Sequence, residues 1–200
     1  EDEVQTIPAL PQNSERLGEG GLRTLGLYKH AGPDKDPLIS IITVVLNNAS
    51  KLEQTLQSVI NQSSYQVEYI VIDGGSTDGT LEIIKKYEDQ IDYWVSEPDK
   101  GIYHAMNKGL TVASGDWVVF MNSGDCMTEM PGTLKGDVVY GAATIKYPGK
   151  TKKTIPRKLH TIKKDIIASH QSMYFYKSFY RRFKYSEELK YASDYELILK

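Results

Sequence analysis

Cysteine is nearly absent from this chain: Cys126 is the single one among 200 residues. An internal disulfide is excluded, and the composition suits a reducing compartment such as the cytoplasm. Long apolar runs are missing as well. No stretch approaches the roughly 20 residues of a membrane-spanning helix. Glu1 to Val4 is acidic, without the basic start and apolar core of a secretory leader. Familiar ligand loops are also lacking. No G-x-G-x-x-G opens a helix after the first strand, and no G-x-x-x-x-G-K-[ST] occurs. A calcium loop starting at Asp73 would need carboxylate or amide ligands at Gly75 and Thr77 and a glutamate at Ile84, and it fails at all three.

What is there is the composition of a soluble globular protein, 40% hydrophobic and 25% charged, at a length that fits one domain with a real core. The formal net charge of -2 hides an uneven distribution. Residues 1–145 hold 10 Lys or Arg against 21 Asp or Glu, whereas residues 146–184 hold 12 against Asp165 alone. Two surfaces with different partners would give this pattern, and so would plain solvation of exposed strands and loops.

Residues 1–36 show little periodicity and read as an N-terminal arm, flexible or disordered. Leu38 to Leu46 is a near-continuous β-branched run, the pattern of a central parallel strand covered on both faces. Ser50 is placed to cap a helix carrying Leu52, Leu56, Val59 and Ile60. Further strands are expected at Val67–Ile72, Ile91–Val95 and Trp117–Met121. Between them lie helices marked by Leu81, Ile84 and Tyr87, and by Ile102, Ala105, Met106 and Leu110. Strands alternating with helices across short loops predict an α/β fold, a single Rossmann-like nucleotide-binding domain with a mixed, mainly parallel central sheet. After Asp125 the pattern changes. Val138–Tyr140, Thr144–Tyr147 and Ser172–Tyr176 read as shorter, antiparallel additions. The chain ends within a helical pattern at Leu197 to Lys200, so a C-terminal truncation is expected.

Polar clusters follow the strands, where open α/β sheets bind ligands. In Asp73 to Thr80, Asp78 fits a helix cap. Asp73 ends a buried strand, where a carboxylate needs donors or a ligand; it is placed to accept hydrogen bonds from a nucleobase. In Glu97 to Gly109, Lys100 and Lys108 are each in position to reach a phosphate, Asp99 is either a cap or a site residue, and His104 reads as a surface residue. Asn122-Ser123-Gly124-Asp125 offers one carboxylate to a hard divalent cation whose shell a diphosphate would complete. A late cluster joins His170-Gln171 to Ala192-Ser193-Asp194, where Asp194 is either a helix start or a general base.

The order of these clusters, with Ser40 to Val45, Ile72 to Thr80, Glu97 to Gly109, Asp116 to Asp125, His170-Gln171-Ser172 and Ala192 to Leu197, resembles the inverting nucleotide-sugar glycosyltransferases of family 2, which have the glycosyltransferase-A fold. Within that family it is similar to bacterial enzymes of cell-surface polysaccharide synthesis. The resemblance covers about Pro37 to Lys200 and implies a catalytic domain at 37–200, with a donor-nucleotide half at 37–125 and an acceptor half at 126–200. It implies that Thr43, Val44, Asp73, Asp99, Lys100, Asn122 and Ser123 bind the donor, a nucleotide-diphosphate sugar, with a UDP-sugar favoured. It implies that Asp125, in a departure from a strict D-x-D, holds a divalent cation (Mg or Mn), that Asp194 is the catalytic base, and that His170 and Gln171 face the acceptor. A saccharide or lipid-linked acceptor is the expected partner, with no nucleic acid. The basic stretch 146–184 is then a candidate for peripheral contact with the inner face of the membrane. A sugar nucleotidyltransferase and a non-catalytic nucleotide-sugar-binding relic are the alternatives. The former usually carries a Gly-rich basic loop where this chain has Leu46-Asn47-Asn48-Ala49-Ser50.

Overall fold

A computed structural model describes residues 9–30, 36–63, 65–158, 168–189 and 196. The expected central strand is β2 (Leu38–Val45), buried at every position. Its apolar residues on both faces demand a covered sheet, and the helices supply the cover. Alongside it run β3 (Gln66–Asp73), β4 (Tyr93–Ser96) and β5 (Trp117–Phe120), all parallel. Three more strands complete the sheet: β1 (Gly18–Gly20), β6 (Val138–Tyr140) and β9 (Met173–Tyr176). The seven strands lie in the order β1-β4-β3-β2-β5-β9-β6. β1 runs antiparallel to β4, and β9 antiparallel to both β5 and β6. This mixed, mainly parallel sheet is the expected fold class. Strands β7 (Ala143–Tyr147) and β8 (Lys150–Thr154) form a separate antiparallel ribbon.

Two apolar layers hold the sheet. On one face α1 (Ala49–Ile60) and α2 (Thr80–Lys86) set Leu52, Leu56, Val59 and Ile84 against Ile39, Ile41, Val71 and Trp94. On the other, α3 (Ile102–Val112) sets Ala105, Met106 and Leu110 against Ile42, Val44, Ile70 and Phe120. Each fully buried aliphatic side chain contributes about 1.5–3 kcal/mol. Gly109 lets α3 approach β2 closely, since a Cβ there would lie 2.5 Å from Ile42 Cγ2. Helix α1 starts at Ala49, ahead of the expected Ser50 cap, with Asn48 at the cap position.

The expected N-terminal arm is corrected by residues 9–30. β1 pairs with β4, and Arg23 is buried, with its guanidinium on Glu68 and on the Val112 carbonyl. Glu68, only 1% exposed, also accepts from the Ser40 hydroxyl and from the Ser114 backbone and hydroxyl. This network closes the end of the sheet opposite the ligand loops.

Candidate functional site

The strand order reverses between β2 and β5, because β3 and β4 lie to one side of β2 and β5 to the other. At such a switch point two loops leave in opposite directions and open a crevice at the strands' carboxyl ends. Loops 46–48, 74–79, 97–101 and 122–125 gather there.

The first two loops are stitched together by polar side chains. Asn47 donates its N–H to Ser76 Oγ at 2.7 Å, and its side-chain oxygen accepts from the Thr77 N–H at 2.8 Å. Asp78 accepts from the Thr80 N–H and from the Ala49 N–H, each at 3.1 Å, so it serves the N-termini of both α2 and α1. Those bonds, with the Thr80 hydroxyl foremost, hold its carboxyl below the ordinary range. The fourth loop is tied to the first by Asn48, whose amide donates to the Ser123 carbonyl at 3.1 Å and hydroxyl at 3.0 Å. Asn48 carries no site role in the sequence reading. The signal for it is a pair of asparagines emerging from a fully buried strand.

Several expected donor contacts are placed differently. Thr43 is fully buried and shares a 2.9 Å hydrogen bond with the Tyr69 hydroxyl, and Val44 packs into the core. The residues that emerge into the crevice from β2 are Leu46, Asn47 and Asn48, with Leu46 60% exposed. Asp73 is also fully buried. Its Oδ2 accepts from the Ser76 N–H at 3.0 Å and from the Ser96 hydroxyl at 2.5 Å, and its Oδ1 from the Ser76 hydroxyl at 2.5 Å. The donors that a buried carboxylate needs are here the protein's own, and they tie the end of β3 to the loop that follows it.

In the third loop, Lys108 is drawn inward. Its ammonium lies 2.6 Å from Asp99 Oδ1 and 2.8 Å from Glu97 Oε1, and Arg16 holds the other oxygen of Glu97 at 2.8 Å. Burial would raise the Glu97 carboxyl, but hydrogen bonds and charge from Lys108 and Arg16 outweigh it and hold the group below its usual range. Lys108 is thus paired with carboxylates, not extended toward a phosphate. His104 Nδ1 sits 3.0 Å from Asp99 Oδ1, while the second oxygen, Oδ2, is buried with no hydrogen-bond partner. Lys100 is exposed, and its backbone N–H donates to His104.

Asn122, His170 and Gln171 come together around a cavity of about 300 Å³, with Ile102, Tyr103 and Met106 as its apolar wall. His170 stacks on Phe120 and bonds the Tyr185 hydroxyl at 2.6 Å. Asn107 clamps the Tyr185 backbone through its N–H and its carbonyl, each at 3.0 Å. Gln171 donates to Asp125 Oδ2 at 2.9 Å, which joins the β5 loop to the segment before β9. Burial raises the Asp125 carboxyl above its ordinary value, only partly offset by Gln171. Asn122 Oδ1 is buried without a partner. Among the described residues no three His, Cys, Asp or Glu form a metal cluster. One carboxylate, with an unpartnered amide oxygen in the same loop, nonetheless fits a hard cation that takes its remaining ligands from a diphosphate. Asp194 lies outside the described residues.

A model of glycosyl transferase family 2 matches residues 40–189. Among curated proteins, an uncharacterized glycosyltransferase of Mycobacterium tuberculosis is 43% identical over 90 residues, 44% of this chain and 34% of its own length. A putative teichuronic acid biosynthesis glycosyltransferase, TuaG of Bacillus subtilis, is 39% identical over 92 residues, 44% of this chain and 36% of its own. The matches span only about a third of these relatives. Among solved structures, S. aureus TarS 1-349 in complex with UDP superposes with a TM-score of 0.63 at 23% identity, over 80% of this chain and 54% of that one. The mannosyltransferase PcManGT from Pyrobaculum calidifontis in complex with GDP-Man and Mn2+ gives 0.60 at 20% identity, over 82% and 52%. These likenesses identify the sheet and its helices as the glycosyltransferase-A fold. With the family model covering most of the chain, the protein belongs to glycosyl transferase family 2.

Proposed function

We propose that this chain is the donor-binding and catalytic part of an inverting glycosyltransferase that moves a sugar from a nucleotide-diphosphate sugar to an acceptor hydroxyl, in bacterial surface polysaccharide synthesis. The observation that carries the reading is the Gln171–Asp125 hydrogen bond at the switch-point crevice, with Gln171 and Asn122 both lining a 300 Å³ cavity. A relative named as a putative teichuronic acid biosynthesis glycosyltransferase, and structural neighbours with bound UDP or GDP-mannose and Mn2+, support it.

In this reading Asp125 would hold a Mg or Mn ion whose remaining ligands would come from the donor diphosphate. Such an ion neutralises the charge that builds on the leaving group. Asn122 and Ser123 border the donor, with Ser123 fixed by Asn48. Lys100, exposed at the mouth, is a cation able to approach the donor's phosphates, whereas Lys108 is committed to Glu97 and Asp99. His170 and Gln171 form the acceptor wall. Asp194, assigned by its position in the family pattern, takes the proton of the acceptor hydroxyl as that oxygen attacks the anomeric carbon. A new C–O bond forms, the bond to the diphosphate breaks with its electron pair, and one displacement inverts the centre without a protein nucleophile.

A cytoplasmic, membrane-peripheral setting suits the basic hairpin. Lys146, Lys150, Lys152 and Lys153 are exposed on β7 and β8 beside Ile145 and Tyr147, while Lys163 and Lys164 lie outside the described residues. No helix among the described residues is long and apolar enough to cross a membrane. The test of the enzyme reading is hydrolysis of UDP-, GDP- and dTDP-sugars with and without Mn2+, alongside thermal shift with the nucleotides. Metal-dependent turnover or stabilisation is expected. No turnover and no shift with any nucleotide would refute it.

A further inference from the structure

A second cavity, of about 330 Å³, opens at the end of the sheet opposite the crevice. It lies against Gln66 and Val67, where β3 begins, and β3 runs eight residues from there to the crevice loops, roughly 25 Å. Three carboxamides line it: Gln62 just past the end of α1, Gln66, and Gln90 ahead of β4. Each amide carries donors and an acceptor side by side. Two of the lining side chains are already held in place. Gln62 Nε2 donates to the Ser58 carbonyl at 2.8 Å, and the Tyr65 hydroxyl donates to the Pro131 carbonyl at 2.7 Å. Val59, Ile60 and Val67 add apolar surface.

Charge is cancelled in this cavity. Lys29 is the cation of the lining, and its ammonium is taken up by Asp92 Oδ2 and the Val67 carbonyl, each at 2.8 Å. The carboxyl end of α1 also borders the cavity; it has no basic residue in its last turn and so carries partial negative charge. A phosphate or nucleotide therefore meets no uncommitted cation in the lining. A hydrocarbon would strip water from the amides and replace no hydrogen bond. A neutral molecule with apolar faces and hydroxyls along its edges matches both kinds of surface, and the volume is that of a small ligand site. We propose that this cavity is a saccharide-binding site remote from the transfer crevice, and that it holds a neutral sugar unit of the acceptor chain. The choice of an acceptor chain as the source rests on the glycosyltransferase reading; the choice of a neutral sugar rests on the cavity. A polymer held here raises the concentration of its own end at the crevice, so affinity at the two places multiplies through the chain between them.

The side-chain amide resonances of Gln62, Gln66 and Gln90 report on the cavity directly. The test is NMR titration of the 15N-labelled full chain with linear trisaccharides of glucose, galactose, mannose and N-acetylglucosamine, and separately with UDP and Mn2+. At least one trisaccharide should move all three amides, and UDP should move none of them. Gln66→Ala and Gln90→Ala each remove neutral hydrogen bonds to the sugar and should weaken its binding roughly 3- to 10-fold. Gln90 is exposed and lies outside the strands, so its variant keeps the fold even if that of Gln66 does not. No shift of these amides with any trisaccharide at about 10 mM, or a binding curve unchanged in Gln90→Ala, overturns the site. Shifts confined to Asn122 and Gln171 also overturn it, while supporting the crevice as the place of transfer. Trisaccharide binding at the glutamines with no UDP binding anywhere would remove the nucleotide-sugar reading and leave the saccharide site standing.

Discussion

Arg23 offers the sharpest structural perturbation, because it lies in a segment whose sequence reads as an arm and yet its guanidinium is buried on Glu68. Arg23→Met keeps most of the side-chain volume and removes the charge. Glu68, 1% exposed, is then a buried carboxylate without its counter-charge. Removing one partner of a buried ion pair typically costs about 3–5 kcal/mol. Glu68 retains the Ser40 hydroxyl and two donors from Ser114, which favours the lower end, about 3 kcal/mol. For a chain of this length that is a fall in Tm of roughly 6–12 °C. Arg23→Met/Glu68→Gln should recover much of the loss, since the uncompensated charge has gone. Urea denaturation followed by circular dichroism measures both variants. A midpoint for Arg23→Met indistinguishable from the native one would refute the claim that residues 9–30 are part of the fold. Equal losses in the single and double variants would refute the buried charge as the cause.

Three other outcomes are expected. Gly109→Val drives side-chain atoms into Ile42, where even a Cβ would lie 2.5 Å away, and should cost about 2–3 kcal/mol, read as a lowered urea midpoint; an unchanged midpoint would mean that α3 does not pack so closely on β2. Asp125 must be ionised to hold a cation, and burial raises its carboxyl. Mn2+-dependent UDP affinity should therefore fall on acidification at a higher pH than an ordinary aspartate would give, whereas the stability of the metal-free protein gains from protonated Asp125 at low pH and loses that gain as pH rises through the raised value. A flat profile of UDP affinity between pH 7 and the ordinary carboxylate range (about 4) would contradict this. Asp194→Asn should abolish sugar transfer, followed by product chromatography, while leaving UDP affinity nearly unchanged; full transfer by the variant would remove Asp194 as the base.

The parts of this fold that the sequence reveals are those whose pattern is local. Leu38 to Val45 is buried on both faces, so its apolar run is continuous, and the helices carry their apolar stripes. β1 is Gly18-Glu19-Gly20 and owes its existence to pairing with β4, more than 70 residues away, so no local signal marks it. β8 is lysine-rich and exposed, held by its register with β7. The site shows the same division. Asp73 and Asp99 both follow strands and look alike as carboxylates at strand ends. What separates them is the supply of donors: Ser76 and Ser96 close on Asp73, while one buried oxygen of Asp99 has no hydrogen-bond donor. Lys108 reads as a solvated or phosphate-facing lysine until Glu97 is seen beside it. Asp125 and Gln171 stand 46 residues apart and meet only because β9 returns antiparallel to β5. The family pattern brought both into view, but the bond between them belongs to the tertiary structure.

The central claim is that the crevice at the ends of β2 and β5 holds a nucleotide diphosphate through a cation on Asp125. Calorimetric titration of UDP into the native chain and into Asp125→Ala, each with Mn2+ and with chelator, tests it directly. The account predicts that Mn2+ tightens UDP binding to the native chain and that the variant loses this enhancement while retaining its fold. UDP binding that ignores Mn2+ in the native chain, or an undiminished Mn2+ effect in Asp125→Ala, would contradict it.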